Sequence, residues 1–168
     1  HPAGKKIYSV RVIPYRGAWI EIEVDINDVL YAYLDRRRKV LATTLLRAMG
    51  YSSNLEIMSA LYEIEKVEDI TRSSFNKLEG RVLAEDIAAE GSQELVAKGG
   101  AILTRTLLES LVERGIKQVR VAKLTNDDLS VVNTLEREPY RNTTEAQIAI
   151  YKRVRPGDPP TQQSAQDL

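Results

Sequence analysis

Two short stretches alternate between polar and apolar residues, and this alternation limits the possible folds more than any other feature of the chain. Residues 7–12 (IYSVRV) and 18–24 (AWIEIEV) have the two-residue period of β-strands. Pro14 and Gly17 lie between them, and both residue types favour turns. We therefore predict two strands joined by a corner.

The alternation also assigns a face to the only tryptophan in the sequence. Trp19 shares one face of the second stretch with Glu21 and Glu23. The opposite face is aliphatic and is the expected core side, formed by Ile20, Ile22 and Val24. Trp19 is therefore predicted to lie on the more polar face, although core packing is an equally open alternative for a residue type that is usually well buried.

Helix and strand patterns follow one another along the rest of the chain, which predicts an α+β fold. A third strand is expected at 29–34, where the sequence alternates again. Four helices are expected from capping residues and apolar spacing: 40–49 ending at Gly50, a helix capped by Ser53 with Glu56, a helix between Thr104 and Gly115, and one that starts at Asn142 with Glu145 and stops before Pro156.

The middle of the chain differs in character from its two ends. Residues 79–124 contain short strand-like segments separated by glycines, with one amphipathic helix, and are predicted to form a small β-rich inserted domain. Residues 67–78 are polar without a clear period and are predicted to be a connection.

Composition excludes several classes of site and of protein. The formal net charge is zero, so any attraction to nucleic acid has to come from local clusters of cations. Cysteine is absent and His1 is the only histidine, which disfavours disulfides, zinc sites and histidine-based catalysis. No secretory segment or apolar run of about 20 residues is present, so a cytoplasmic protein without a membrane span is expected.

Arginine clusters are the chemically distinctive feature of the sequence. DRRRK occupies 35–39, and YKRVR occupies 151–155 at the predicted end of the last helix. Such clusters are often solvated charges that complement a helix dipole. Together with a tryptophan off the core face, they also suit nucleic acid, because guanidinium groups bind phosphates and an indole stacks on unpaired bases.

Four stretches together resemble the lobe (domain 2) of the β subunit of bacterial RNA polymerase. They are YSVRVIPYRGAWIEIEVD, YLDRRRKV, TLLRAMGY and IYKRVRPGDPPT, in this order. They carry the combination R-x-I-P-x-R-G-x-W, D-R-R-R-K and R-P-G-[DE]-P-P-T. The resemblance implies that 1–66 and 129–168 fold together as one discontinuous lobe, and that 79–124 is an insertion that varies between lineages.

The resemblance also implies a function in DNA-templated transcription. The lobe would form one side of the cleft for downstream DNA, with Trp19 stacking on a base of the unwound non-template strand. Arg155 would approach the same strand, and the weaker DNA-binding candidates are Arg16, Arg36, Arg37 and Arg38. Some of these arginines would instead brace the lobe through buried ion pairs.

The parent enzyme implied by the resemblance is DNA-directed RNA polymerase, a nucleotidyltransferase. Its catalytic Mg²⁺ is bound by the β′ subunit, so we expect no catalytic residue, cofactor or metal in this segment. The implied partners are the rest of β, β′, a σ factor, and promoter and downstream DNA, with no membrane partner.

Two other functions compete with DNA contact. In the first, the segment is mainly a protein-interaction module whose insertion docks σ or regulatory factors. In the second, ELVAKGGAI is the hairpin of a swinging-arm carrier domain with Lys98 as the modified lysine, although the residues that usually flank such a lysine are missing.

Overall fold

The computed structural model describes residues 7–89, 91, 94–124 and 128–167, so His1 lies outside the described residues. Helices and antiparallel sheets are both present, which confirms the predicted α+β class. The chain divides into two compact units. The first unit contains the described residues up to Ser53 and those from Leu129 onward, and the second unit is Asn54–Asp128.

An antiparallel sheet forms one layer of the first unit, with the strands in sequential order. The strands are β1 (Ser9–Val12), β2 (Ile20–Val24), β3 (Leu30–Leu34) and β4 (Arg38–Leu41). The three predicted strands are present with shorter bounds. β4 was not predicted, because its consecutive cations hide the alternation and its strand form is set by pairing with β3.

Helices form the second layer of the first unit. They are α1 (Ala42–Ala48), then α5 (Ser130–Glu136), α6 (Thr143–Val154) and α7 (Gln162–Gln166) in the part after the second unit. The Asn142 cap is confirmed, since its side chain accepts a hydrogen bond from the Glu145 amide at 2.9 Å. The predicted start of the first helix at residue 40 was wrong, because 38–41 belong to β4.

The aliphatic face of the sheet supplies the core of the first unit. Ala32, Leu34 and Val40 are buried there. From the helices, Leu135, Ala146 and Ile150 are also buried. In contrast, all four residues of β1 are exposed at the edge of the sheet.

Buried polar side chains join the two parts of the first unit, which are far apart in sequence. The carboxylate of Glu138 accepts hydrogen bonds from the hydroxyls of Thr43 at 2.5 Å and Thr44 at 2.9 Å, and from the Tyr140 amide at 3.1 Å. Arg47, which is 2% exposed, donates to the Arg141 carbonyl at 3.5 Å. These hydrogen bonds therefore connect α1, in the part before the second unit, to the segment between α5 and α6, in the part after it.

The second unit is built around a different sheet. Its elements are α2 (Asn54–Leu61), β5 (Glu63–Val67), a 3₁₀ turn (Arg72–Ser74), α3 (Phe75–Leu78), β6 (Val82–Leu83), β7 (Ile87–Ala88), β8 (Leu95–Ala97), α4 (Arg105–Glu113) and β9 (Val119–Lys123). The antiparallel order is β5-β9-β6, with β7 and β8 forming a separate pair. The predicted cap of α4 is confirmed by a 3.2 Å bond from the Leu107 amide to the Thr104 hydroxyl.

The segment predicted to be a connection belongs to the core of the second unit. Ile70, Phe75 and Leu78 are at most 5% exposed and pack in one cluster with residues of α4 and β9. Because α3 has only four residues and Ile70 precedes it outside any helix, these apolar residues show no helical period in the sequence. The unit also starts at Asn54, earlier than the predicted boundary.

Lys98 follows β8 in a turn that is packed within the second unit. The side chain is half-buried, and the two glycines after it are buried. A carboxylate oxygen of Asp86 accepts from the Gly99 amide at 2.7 Å and from the Asn54 side chain at 2.6 Å. A swinging-arm lysine needs an exposed hairpin tip, and this turn does not supply one.

None of the helices in the described ranges combines the length and the hydropathy that crossing a membrane requires.

Candidate nucleic-acid interface

Trp19 lies immediately before β2, at the end of the sheet where β3 turns into β4. Its carbonyl accepts a hydrogen bond from the Asp35 amide at 3.0 Å. This bond extends the pairing of β2 with β3 by one residue pair beyond Ile20 and Leu34. Alternation from that register places Trp19 on the face of Glu21 and not on the aliphatic face. The tryptophan is half-buried.

The guanidinium of Arg36 covers the indole of Trp19. Its central carbon lies 4.5 Å from the centroid of the ring, within the range of a cation–π contact. Arg36 itself is exposed. Of the six residues predicted to contact DNA, these two are brought into direct contact with each other.

An unusual backbone turn places Arg36 over the ring. Asp35 and Arg36 have φ values of 50° and 63°, and the Arg37 amide donates to the Leu34 carbonyl at 3.3 Å. Positive φ at both central residues and this hydrogen bond are features of a type I′ turn, here within a three-residue loop between Leu34 and Arg38, and such central positions usually hold residues such as Asn-Gly. An arginine there is strained, since left-handed backbone costs most side chains about 1–2 kcal/mol.

We expect the Arg36→Gly variant to be more stable than Arg36→Ala by about 1 kcal/mol. Both variants lose the guanidinium, so their difference isolates the backbone term. Urea unfolding followed by the emission of Trp19 measures it. Equal midpoints for the two variants would show that the turn is not strained.

The next two arginines have different surroundings. Arg37 is exposed at the turn. Arg38 pairs across the sheet with Leu34, on the aliphatic side, and its guanidinium lies 3.7 Å from the Asp35 carboxylate. The two side chains are 35% and 54% exposed, so this is a local ion pair within the turn and not the buried bracing pair that was the alternative to DNA contact.

Arg155 terminates α6 and is exposed. Its guanidinium carbon lies 5.7 Å from the ring centroid of Tyr151. The phenol of Tyr151 donates to the Asp158 carboxylate at 3.0 Å, and the Asp158 amide donates to the Arg155 carbonyl at 3.2 Å. These bonds fix the turn that follows the helix and so hold Arg155 at a defined place.

A cavity of about 330 Å³ lies between the sheet and the helices of the first unit. It is lined by both sequence neighbours of Trp19, Ala18 and Ile20, and by Val154, which precedes Arg155. The residues next to Trp19 and Arg155 in sequence therefore line one cavity on the aliphatic side of the sheet, while Trp19 and Arg155 are not part of its lining. Arg16 lies in the exposed bend before Trp19.

The sheet face that carries Trp19 holds further aromatic and cationic residues that were not predicted as site residues. Tyr33 and Tyr31 pair across from Glu21 and Glu23, and the Lys39 ammonium lies 3.6 Å from the ring centroid of Tyr31. The alternation in LYAYL predicts that the two tyrosines share a face, but only the register shows that this face is also that of Trp19.

The described residues contain no group of three or more histidine or acidic side chains placed to hold a metal ion. The Arg11 guanidinium lies 2.9 Å from the Glu21 carboxylate and offsets its negative charge.

The family model and the individual proteins that match this chain agree with one another. Residues 1–93 match the family model described as RNA polymerase Rpb2, domain 2. The DNA-directed RNA polymerase subunit beta of Protochlamydia amoebophila (strain UWE25) is 38% identical over 168 residues, covering 98% of this chain and 13% of that protein. The corresponding subunit of Chlamydia pneumoniae is 36% identical over 164 residues, covering 96% of this chain and 13% of that protein.

The extent of these matches is informative about the middle of the chain. The chain spans about 13% of the length of these relatives. Because the alignments cover nearly all of it, they include the segment 79–124 that was predicted to be a variable insertion. The family model ends within that segment, at residue 93.

Proposed function

The chain belongs to the RNA polymerase Rpb2 domain 2 family and corresponds to a segment of an RNA polymerase β subunit, and on that basis we propose that it serves DNA-directed transcription by contacting the non-template strand of unwound DNA. The first unit is the lobe at the downstream DNA cleft. Trp19 stacks on an unpaired base, and Arg155 binds the phosphate backbone of the same strand. The other subunits of the enzyme, a σ factor and promoter DNA are its partners.

One observation carries the proposal. Trp19 lies at the end of the sheet, off the aliphatic face, with the guanidinium of Arg36 over its ring. A flat ring among cations suits a single nucleic-acid strand, whose bases stack and whose phosphates need neutralising.

Magnitudes favour a contact that stabilises an open complex without binding DNA tightly by itself. Stacking of one base on an aromatic ring contributes about 1–3 kcal/mol. With two or three arginines on phosphates, the logarithm of the binding constant falls by only about 2 per tenfold rise in salt for a single strand. The rest of the enzyme would supply the remaining affinity.

Replacing Trp19 by alanine in an RNA polymerase that contains this segment tests the proposal. We expect the lifetime of the promoter open complex to fall about tenfold, since about 1.4 kcal/mol of stacking would be lost. The base preference at the contacted non-template position should weaken as well. Lifetimes are measured after adding a competitor that traps free polymerase, on promoters that differ only at that base.

Two control variants separate stacking from a general loss of aromatic surface. Trp19→Phe keeps a flat ring and should retain most of the lifetime. Tyr8→Ala removes a side chain from a residue of the same unit that is 72% exposed, and it should leave the lifetime unchanged. Equal lifetimes for wild-type and Trp19→Ala polymerases on every promoter would refute the proposal.

A further inference from the structure

The cavity between the sheet and the helices of the first unit is not used by the proposed contact with DNA. It measures about 330 Å³. Well-packed interiors contain few voids larger than a water molecule, whereas ligand sites measure about 300–1,000 Å³. The larger aliphatic side chains of its lining come from β2, β3, α1 and α6 and are Ile20, Leu34, Leu45, Ile150 and Val154. The cavity is therefore large and apolar enough to hold a small organic molecule.

One cation, Arg38, lines this apolar cavity. It continues the row of cross-strand neighbours Ile20 and Leu34 on the aliphatic face of the sheet, where a charged side chain is unusual. Its guanidinium lies 3.7 Å from the Asp35 carboxylate, which is longer than a hydrogen bond. Among the described residues, no hydrogen bond joins this guanidinium to another group. The N–H groups of Arg38 are therefore left for water or for an anion that enters the cavity.

The cavity has an opening to solvent beside Met49. This residue follows α1, lines the cavity and is 66% exposed. An unbranched thioether side chain adapts its shape to what it contacts. A ligand can therefore enter past Met49 while the sheet and the helices stay in place.

We propose that this cavity is a binding site for a small amphipathic carboxylate. The apolar body of the ligand lies among the aliphatic side chains, and its carboxylate accepts paired N–H bonds from the Arg38 guanidinium. Two parallel bonds of this kind are the geometry in which arginine binds a carboxylate best. The site is separate from the proposed DNA contact, because neither Trp19 nor Arg155 is part of the lining.

The first test uses ligands of one length and different charge with the 168-residue chain. The probe is labelled decanoate, kept below the concentration at which it forms micelles, and binding is measured by equilibrium dialysis. We expect saturable binding at one site. Decanol has the same chain without the charge and should bind about tenfold more weakly, because a hydrogen bond between two charged groups is stronger than one to a neutral group. Decylammonium should not compete with decanoate.

A pair of variants assigns the charge to one arginine. Arg38→Gln should weaken decanoate binding about tenfold while leaving decanol binding unchanged, because only the carboxylate loses its partner. The matched control is Arg37→Gln, which makes the same change of charge at the exposed neighbouring position of the turn. It should leave the affinity for decanoate within about twofold, since an exposed charge that does not touch the ligand acts only through screened solvent.

The second test asks whether the site exists in the assembled enzyme. Decanoate carrying a photoreactive diazirine is irradiated with an RNA polymerase that contains this segment, and the labelled peptides are identified by mass spectrometry. We expect labelling in α1 and α6 that excess decanoate suppresses and that Arg38→Gln reduces. Labelling that is absent from these helices would show that another part of the enzyme fills the cavity, and it would overturn the site.

Three results with the chain itself would also overturn the proposal. They are binding of decanoate that does not saturate, equal affinities for decanoate and decanol, and equal losses for Arg38→Gln and Arg37→Gln. None of these results bears on the lifetime of the open complex in the Trp19→Ala polymerase. The carboxylate site and the proposed function can therefore fail separately.

Discussion

Replacing Glu138 by alanine is expected to lower the free energy of unfolding of the first unit by about 2–4 kcal/mol. The buried carboxylate accepts hydrogen bonds from Thr43, Thr44 and the Tyr140 amide, and its removal leaves these donors without that acceptor. Each buried donor that finds no other partner costs about 1–3 kcal/mol. Urea unfolding followed by Trp19 emission measures the effect, because this tryptophan belongs to the first unit.

A conservative change at the other side of the same network provides the control. Thr44→Val removes one donor, while the carboxylate keeps the Thr43 hydroxyl and the Tyr140 amide. We expect a loss of about 1 kcal/mol, the typical net contribution of one hydrogen bond. If Glu138→Ala were no less stable than Thr44→Val, the network would not be what joins the two parts of this unit.

The second large effect is expected at Gly99, in the second unit. A Cβ atom at this position would lie 2.7 Å from the Cβ of Asn54 and 3.2 Å from the Glu85 carbonyl carbon. Overpacking of this kind costs about 1–3 kcal/mol, and a backbone neighbour cannot move aside as a flexible side chain can. Gly99→Ala should therefore speed hydrogen exchange of the β9 amides by about 5- to 150-fold, since 1.4 kcal/mol is a factor of ten.

Gly115→Ala is the matched control in the same unit. Gly115 has a φ of 76°, and a Cβ there meets nothing within 4 Å, so the substitution carries only the cost of left-handed backbone. Exchange of the same amides should rise less than in Gly99→Ala. Equal rates in the two variants would contradict the close packing of Gly99 against Asn54.

Local signals in the sequence were sufficient to predict several parts of the fold. The caps at Thr104 and Asn142 were predicted correctly, because a capping side chain bonds an amide only three residues away. The face of Trp19 followed from the alternation of one strand. In contrast, α7 was missed, since its start depends on a short Thr161–Ser164 capping box in a polar segment without an apolar period.

Features that depend on distant parts of the chain could not be predicted in this way. The stack of Arg36 on Trp19 needs both the β2–β3 register and a strained turn, and an Asp-Arg pair does not signal a type I′ turn. Similarly, nothing local separates Arg36, which contacts the ring, from Arg38, which pairs with Asp35. The family resemblance named the right segment without distinguishing these roles.

The observed boundaries also change how the docking alternative has to be tested. Removing residues 79–124 would delete β6 and β9 and leave β5 without its sheet partner. Loss of a factor response in that deletion would reflect an exposed, broken core as readily as a lost docking surface. Removing the whole second unit, Asn54–Asp128, respects the compact division of the chain, and the docking of σ or regulatory factors stays a prediction until then.

The discontinuity of the first unit has a consequence for how the chain is made. On the ribosome the strands β1 to β4 emerge first, but α5 and α6 appear only after the roughly 75 intervening residues from Asn54 to Asp128. At about 5–20 residues per second this is a delay of about 4–15 s, during which the aliphatic side of the sheet has α1 but not yet α5 and α6. Pairings this distant in sequence are formed slowly, so nascent chains are vulnerable to misassociation in that interval.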